Sequence, residues 1–279
     1  MASEVDAEAP TGMPSILELL DLEYIEEDIY RSRAVFKDTN RLFGGQVAGQ
    51  ALYAAGRTVP DARMPHSLHG YFLRQGDALR PTVFRVERDR DGSSVSNRRV
   101  VAIQAGKVIF NLSASFAVAP PGPDDEEPGD AGPGGTVPGD AVPDLPSPDD
   151  FPGWVPSRFT SFEFRSDRRE PMPSQFWVRC RVGLPDDPLL HAAVLAYTSD
   201  MSSGLVGMAP PGTYSGASMD HALWFHRPFR ADGWIWQDLT GQTVAAGRGL
   251  YTGGIYSEDG IRIASTAQEA LFMRHRARG

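Results

Sequence analysis

A proline- and glycine-rich acidic segment divides this chain of 279 residues into two parts. Residues 121–150 read PGPDDEEPGDAGPGGTVPGDAVPDLPSPDD and contain nine acidic residues but no lysine or arginine. Such a segment has too little apolar surface to order itself, so residues 120–150 are predicted to be a solvated linker, with a role as a binding tail left open. The acidic residues 1–13 are predicted to be a disordered tail. Two regions, 14–119 and 151–279, remain to form packed structure, and each is long enough for its own core.

The two regions show the same order of patterns. In the first, FGGQVAGQALYAAGRTV (43–59) is predicted to be a thin helix of small residues that a sheet could wrap closely. In the second, a helix is predicted to begin in PDDPLLHAAVLAYTSD, because Asp187 is a good N-cap and Pro188 suits the first helical turn. This second helix is apolar on nearly every side, which indicates that it is buried.

Strand patterns follow each predicted helix. In the first region they are SLHGYFLR, TVFRVERDRDG, SVSNRRVVAIQAG and KVIFNLSASFAV, with turns at RDG and AGK. In the second they are ASMDHALWFHRPF, WIWQDLTGQ, TVAAGRGLYTGGIYSEDG and IRIASTAQEALFMR. One long helix before several antiparallel strands predicts an α+β fold in which a sheet wraps round a central helix, the hotdog pattern. Because the pattern occurs twice, we predict a tandem (double) hotdog, with an N-terminal hotdog over 14–119 and a C-terminal hotdog over 151–279.

The two halves differ in polarity at equivalent positions. When they are aligned by eye, ALYAAG matches LAYTSD, which places Gly56 opposite Asp200. GKVIFNLSA matches GIRIASTAQ, which places Ala114 opposite Gln268. At these aligned positions only the second half has polar groups. This suggests that a single half of a duplicated fold retains the chemistry.

Charge and composition argue against several classes of function. The chain has 36 acidic residues against 27 lysines and arginines, and without the nine acids of the linker the counts are equal, so nothing opposes an anionic ligand. No basic stripe indicates a nucleic-acid partner, and no run of about 18 apolar residues indicates a membrane span. The start of the chain lacks the apolar stretch of a secretory signal, and Cys180 is the only cysteine, which excludes an intrachain disulfide. These features predict a cytoplasmic protein.

Motifs for several mechanisms are missing from the sequence. It contains no G-x-S-x-G serine motif, no P-loop and no dinucleotide fingerprint. Its six histidines lack the spacing of metal ligands. We therefore expect neither a cofactor nor a metal.

Three polar side chains of the second half are the candidates for catalysis. Asp200 follows a predicted helix, where the helix dipole disfavours a carboxylate by ~0.3–1 kcal/mol. A carboxylate within ~3 Å of a water can act as a base, and the hydroxyl of Ser218 and the amide of Gln268 can hold that water or aim the carboxylate. Each residue alone also has an ordinary interpretation, as a solvated helix end, a cap or a surface residue.

Several long motifs carry a family resemblance. They are LFGGQVAGQALYAAGRTVP, HSLHGYFLRQGD and VERDRDGSSVSNRRVVAIQAGKVIFNLSASF in the first half, and AYTSD, SMDHALWFHRPF and GIRIASTAQEALFMR in the second. These stretches, within about 15–118 and 155–275, resemble acyl-CoA thioesterase II, a double-hotdog family. The resemblance implies hydrolysis of acyl-CoA to a free acid and CoA, with a catalytic Asp, Thr and Gln that fall on Asp200, Ser218 and Gln268. Serine departs from the family's usual threonine, since it keeps the hydroxyl but lacks the methyl group that restricts χ1.

The start of the first predicted helix, FGGQ, is the candidate oxyanion site. Backbone N–H groups at a helix start present positive potential, and glycine lets a substrate approach closely. Gly44, Gly45 or Gln46 is therefore predicted to donate a backbone hydrogen bond to the thioester carbonyl, which would place the site between the two halves. Alternatively, the glycines serve only the turn into the helix.

Two other functions stay open. Hotdog enoyl-CoA hydratases use an Asp–His pair near a helix start, and DDPLLH (186–191) resembles that signature weakly, without its Asn and with the His displaced by one residue. The second is a catalytically silent acyl-CoA-binding protein, which Ser218 in place of threonine slightly favours. The expected substrate is acyl-CoA, and because exposed hotdog sheets often pair, we expect a homo-oligomer.

Overall fold

A computed structural model describes residues 13–36, 41–60, 62–118, 156–166 and 173–274. The predicted linker over 120–150 lies outside these residues, as does the predicted tail apart from residue 13. None of the described helices is long and apolar enough to cross a membrane.

The described residues form three α-helices, two short 3₁₀ turns and thirteen strands. The helices and turns are α1 (Ile16–Leu20), α2 (Gly44–Gly56), α3 (Pro188–Thr198), Pro156–Phe159 and Val206–Met208. The first six strands are β1 (Leu22–Glu26), β2 (Ile29–Ser32), β3 (Met64–Phe72), β4 (Val83–Asp91), β5 (Val95–Gln104) and β6 (Lys107–Ala117). The other seven are β7 (Phe162–Arg165), β8 (Gln175–Cys180), β9 (Thr213–Ser218), β10 (Asp220–Phe225), β11 (Ile235–Ala245), β12 (Arg248–Ser257) and β13 (Arg262–Arg274).

Local sequence signals explain where α3 begins and why it lies in the core. The Asp187 side chain accepts a hydrogen bond from the Leu189 N–H at 2.9 Å, and Pro188 occupies the first turn, as predicted. Every residue of α3 from Leu190 to its end is buried, which agrees with an apolar surface on nearly every side.

Strands from both regions form one antiparallel sheet. Its order is β1-β2-β4-β5-β6-β3-β10-β13-β12-β11-β8-β7, and β9 also pairs with β13. Each of the described pairings is antiparallel. β3 and β10 join the two regions, with Leu68 opposite Leu223. The sheet therefore runs without interruption from the first region into the second.

The helices α2 and α3 lie side by side and antiparallel. A Cβ atom on Gly49 would lie 2.7 Å from the carbonyl oxygen of Ala193, and one on Gly45 would strike the carbonyl oxygen of Tyr197. Only glycine fits at these two positions, because the backbone of α3 occupies the space. The helix α2 contacts the strands β3, β4, β5 and β6, as expected for a helix wrapped by a sheet, and its face with Gly45 and Gly49 packs against α3.

The hairpin turns were predicted correctly in the first region but not throughout the second. The predicted AGK turn is confirmed at Ala105 and Gly106, whose φ angles are 47° and 73°. A strand boundary was expected after the segment WIWQDLTGQ, but β11 continues to Ala245. The chain reverses instead at Ala246 and Gly247, whose φ angles of 48° and 75° suit a tight two-residue turn.

Candidate active site

Asp200 lies between the end of one helix and the start of another. It is the second residue after the last residue of α3, and its side chain reaches the first turn of α2. A Cβ atom on Gly44 would lie less than 3.0 Å from Asp200 Oδ2, and the backbone N–H of Gly45 donates a hydrogen bond to the same carboxylate. The positive end of α2 therefore offsets the negative end of α3, which explains how a carboxylate is tolerated after a helix C-terminus.

Ser218 and Gln268 come from two paired strands and meet beside Asp200. The amide Nε2 of Gln268 donates to Ser218 Oγ at 2.7 Å, and Ser218 Oγ donates to Asp200 Oδ1 at 3.4 Å. Gln268 lies where the pairing partner of β13 changes from β10 to β9, whose last residue is Ser218. The structure thus brings together the three side chains singled out from the sequence, although they come from three separate elements.

The environment of Asp200 favours its protonated form. Removal of the carboxyl group from water is the largest influence and raises its pKa above the ordinary value of 3.8. The groups that act in the opposite direction, in decreasing order, are His221, Gln268, the Gly45 N–H and Ser218. A carboxylate with a raised pKa is a stronger base toward a bound water.

The residues predicted as oxyanion donors begin α2. Gly44, Gly45 and Gln46 are the first three residues of this helix, and Phe43 precedes them without a capping side-chain hydrogen bond. The first N–H groups of any helix lack partners within it, so they are available to groups outside the helix. Gly45 uses its N–H to hold Asp200. Donation by Gly44 or Gln46 to a substrate carbonyl stays a prediction.

His221 belongs to the same network, although it was not singled out from the sequence. It is buried on β10, with Nδ1 2.5 Å from Gln268 Oε1 and Nε2 2.8 Å from Ser199 Oγ. A sequence signal was available, because this histidine occupies an inward position of the alternating strand SMDHALWF, three residues after Ser218.

The Asp–His pair expected of a hydratase lies elsewhere and has structural roles. Asp187 caps the start of α3, and His191 Nδ1 accepts the Ala231 N–H at 3.1 Å. Eleven helical residues, or about 16 Å at 1.5 Å per residue, separate that end of α3 from Asp200.

In the part of the chain that the structure describes, no three His, Cys, Asp or Glu side chains are placed to hold a metal ion.

Two family profiles and a full-length relative identify the family. The profile described as the acyl-CoA thioesterase N-terminal domain matches residues 34–117, and the one described as the acyl-CoA thioesterase C-terminal domain matches residues 138–272. Acyl-coenzyme A thioesterase 8 of Homo sapiens is 34% identical over 288 residues, which cover 94% of this chain and 90% of that relative. The crystal structure of an acyl-CoA thioesterase II, TesB2 from Mycobacterium marinum, is 42% identical with a TM-score of 0.73, covering 94% of this chain and 99% of that one.

The chain belongs to the acyl-CoA thioesterase II family. Its fold also resembles that of more distant proteins. A protein of unknown function with a hot dog fold from Alicyclobacillus acidocaldarius is 17% identical, with a TM-score of 0.66, and covers 94% of this chain and 98% of that one. At this identity the similarity concerns the fold alone. It indicates that this thioesterase-family chain has a hotdog fold.

Proposed function

We propose that this chain hydrolyses acyl-CoA thioesters to a free carboxylic acid and CoA, using a water held by Asp200, Ser218 and Gln268. Its membership of the acyl-CoA thioesterase II family supports thioester hydrolysis. The observation that carries the proposed chemistry is the convergence of a carboxylate, a hydroxyl and an amide, with the Ser218 Oγ 3.4 Å from the carboxylate and 2.7 Å from the amide.

In the proposed mechanism Asp200 is the general base. Its carboxylate removes a proton from the held water while the water oxygen attacks the thioester carbonyl carbon. The resulting tetrahedral intermediate then breaks its C–S bond, and the departing thiolate of CoA takes the proton back from Asp200. Ser218 and Gln268 orient the water, and their fixed positions lower the entropic cost of the attack. Ser218 supplies the same hydroxyl as threonine, so the role survives the departure from the family pattern.

The oxyanion that forms in this step needs hydrogen-bond donors. We propose that the start of α2 supplies them through the backbone N–H groups of Gly44, Gly45 or Gln46. Three observations support this: the helix starts beside Asp200, its first residue is a glycine, and no side chain caps it. Since the Gly45 N–H already binds the carboxylate, Gly44 and Gln46 are the favoured donors.

We propose that the fold is a double hotdog, with units over 14–119 and 151–279. The strand order supports it, because β2-β4-β5-β6-β3 on one side of the joint corresponds to β8-β11-β12-β13-β10 on the other. When FLR (72–74) is aligned with FHR (225–227), His69 becomes the equivalent of Ala222, and these two residues pair with each other at the joint, as a twofold relation requires. By the alignment of the halves the first unit has Gly56 and Ala114 where the second has the catalytic carboxylate and amide, which argues for one catalytic site.

We further propose that the protein acts in the cytoplasm as a homo-oligomer, without a cofactor. Cys180, the only cysteine of the chain, is a buried free thiol, which is compatible with a reducing compartment.

A thiol-release assay across acyl-CoA chain lengths tests the function directly. The wild-type protein should release CoA, and Asp200→Asn should lose about 10²- to 10⁴-fold in kcat while it stays folded, because a positioned general base contributes about that much. Conversion of an enoyl-CoA to a 3-hydroxyacyl-CoA without free thiol would identify a hydratase. Tight binding without thiol release would identify a silent binding protein.

A further inference from the structure

The imidazole of His221 bridges the catalytic amide and the end of a core helix. Its Nδ1 lies 2.5 Å from Gln268 Oε1, and its Nε2 lies 2.8 Å from the hydroxyl of Ser199, the C-cap of α3. The His221 residue is 1% exposed, so water cannot replace either contact. Gln268 joins the ring to the catalytic set, since its Oε1 contacts His221 and its Nε2 donates to Ser218.

The pattern of hydrogen-bond donors and acceptors requires a hydrogen on Nδ1 of the His221 ring. In the ionised state that the proposed general base requires, the Asp200 carboxylate only accepts hydrogen bonds, so the Gln268 amide must turn its Nε2 end toward it and toward Ser218. The Oε1 end then points at His221 Nδ1 and can only accept, which requires a hydrogen on Nδ1. This holds whether Ser199 donates to the other ring nitrogen or accepts from it.

We propose that His221 is a positioning residue that locks the side-chain amide of Gln268 with its Nε2 facing Asp200 and Ser218. This inference rests on the proposed function, in which Gln268 holds the attacking water. An amide can rotate by half a turn, which exchanges its oxygen and nitrogen with almost no change in shape. Without the His221 donor, the exchanged orientation would present Oε1 to a carboxylate oxygen and repel it. The contact with Ser199, the C-cap of α3, in turn anchors the ring to the end of this helix, where Asp200 follows Ser199 in the chain.

Two substitutions at position 221 separate this role from simple packing. An asparagine at position 221 places an amide nitrogen near the site of Nδ1, so His221→Asn should keep kcat within about threefold of wild type. His221→Leu leaves Gln268 Oε1 buried without a donor and should lower kcat by about 10- to 100-fold. The KM should change little, because the amide acts on the water rather than on the acyl-CoA.

A matched control is His191, which is also a buried histidine of the second region. His191→Leu removes an imidazole that bonds the Ala231 N–H at the far end of α3, and it should lower the melting temperature without lowering the kcat of the folded protein. Equal losses of kcat in His191→Leu and His221→Leu would mean that the effect is general destabilisation and would overturn the proposal.

A double-mutant cycle completes the test. Gln268→Ala alone must lose activity if the proposed water site is right, and full activity in this variant would overturn the role of Gln268 in holding the water, on which this inference rests, while leaving acyl-CoA hydrolysis itself standing. In the Gln268→Ala background, His221→Leu should change kcat by less than about threefold, since the amide it orients is gone. Losses that multiply, or wild-type kcat in the single variant His221→Leu, would overturn the positioning role while leaving the water site intact.

Discussion

The contact between the start of α2 and Asp200 leads to a quantitative prediction for Gly44→Ala. The added Cβ atom would lie less than 3.0 Å from Asp200 Oδ2 and 2.9 Å from Phe72 Cε1. To reach an ordinary contact distance the carboxylate oxygen must retreat by on the order of 1 Å. A displacement of about 1 Å in a catalytic group costs about 100-fold in rate. We therefore expect kcat/KM to fall by about two orders of magnitude, equivalent to about 2.7 kcal/mol of transition-state stabilisation.

The stability of Gly44→Ala should change much less than its activity. The atoms that the new methyl group meets are the ends of two side chains, which can move, and alanine gains up to about 1 kcal/mol over glycine in a helix. Gly49→Ala, five residues later in α2, is the matched control. Its Cβ would lie 2.7 Å from a backbone oxygen of α3 that cannot move freely. We expect this variant to lose about 1–3 kcal/mol of stability and to keep its kcat.

Thiol release from acyl-CoA and urea denaturation followed by tryptophan fluorescence measure the two effects separately. A Gly44→Ala protein with kcat/KM within about threefold of wild type would refute the argument that this helix start sets the position of the base. A Gly49→Ala protein as stable as wild type would refute the close approach of α2 and α3. Gly44→Ala should therefore show its loss in thiol release, and Gly49→Ala should show its loss in urea denaturation.

Three further outcomes follow from the raised pKa of Asp200 and from the burial of Cys180. Because the pKa of Asp200 is raised and the base must be ionised, kcat/KM should increase with pH through an acid limb whose apparent pKa lies above 3.8, and a limb at or below that value would contradict the assignment. A carboxyl group whose pKa is raised in the folded state gives stability that is fully present below its unfolded pKa and is lost as the pH rises through the folded pKa. Asp200→Asn removes this dependence, so the stability of the variant relative to wild type should improve as the pH rises above 3.8, and a pH-independent difference in unfolding free energy would argue against it. Burial raises the pKa of the Cys180 thiol to about 11, so thiol reagents should label it slowly in the native protein and rapidly in denaturant, and fast native labelling would show that the thiol is accessible.

The sequence predicted the helices, strands and local turns more successfully than the tertiary contacts that these elements make. The N-cap at Asp187 and the AGK turn involve residues that are neighbours in the chain, so composition and local propensity were enough to place them. The end of β11 was misplaced because the sequence TGQT looks like a turn, although the chain reverses at Ala246 and Gly247. A β-bulge between Gly241 and Thr243 lets the strand pass through that segment.

The candidate site was predicted residue by residue through a family resemblance and not from local pattern. Asp200, Ser218 and Gln268 each have an ordinary interpretation in isolation, and only matched motifs selected them. His221 was missed because a histidine in a strand carries no signal for the partner it contacts 47 positions away. Its role depends on the amide that it faces.

By itself, the sequence determined which segments become helix and strand, which of them are buried, and which family motifs the chain carries. Those properties arise from interactions within a few residues and from the apolar pattern along each element. Only the tertiary structure decided that α2 would lie against α3 and not merely under a sheet, that Gly45 would bind Asp200, and that His221 would hold the amide of Gln268. These contacts depend on strand register and helix packing, in which a shift of one residue would point each side chain to the opposite face of its strand.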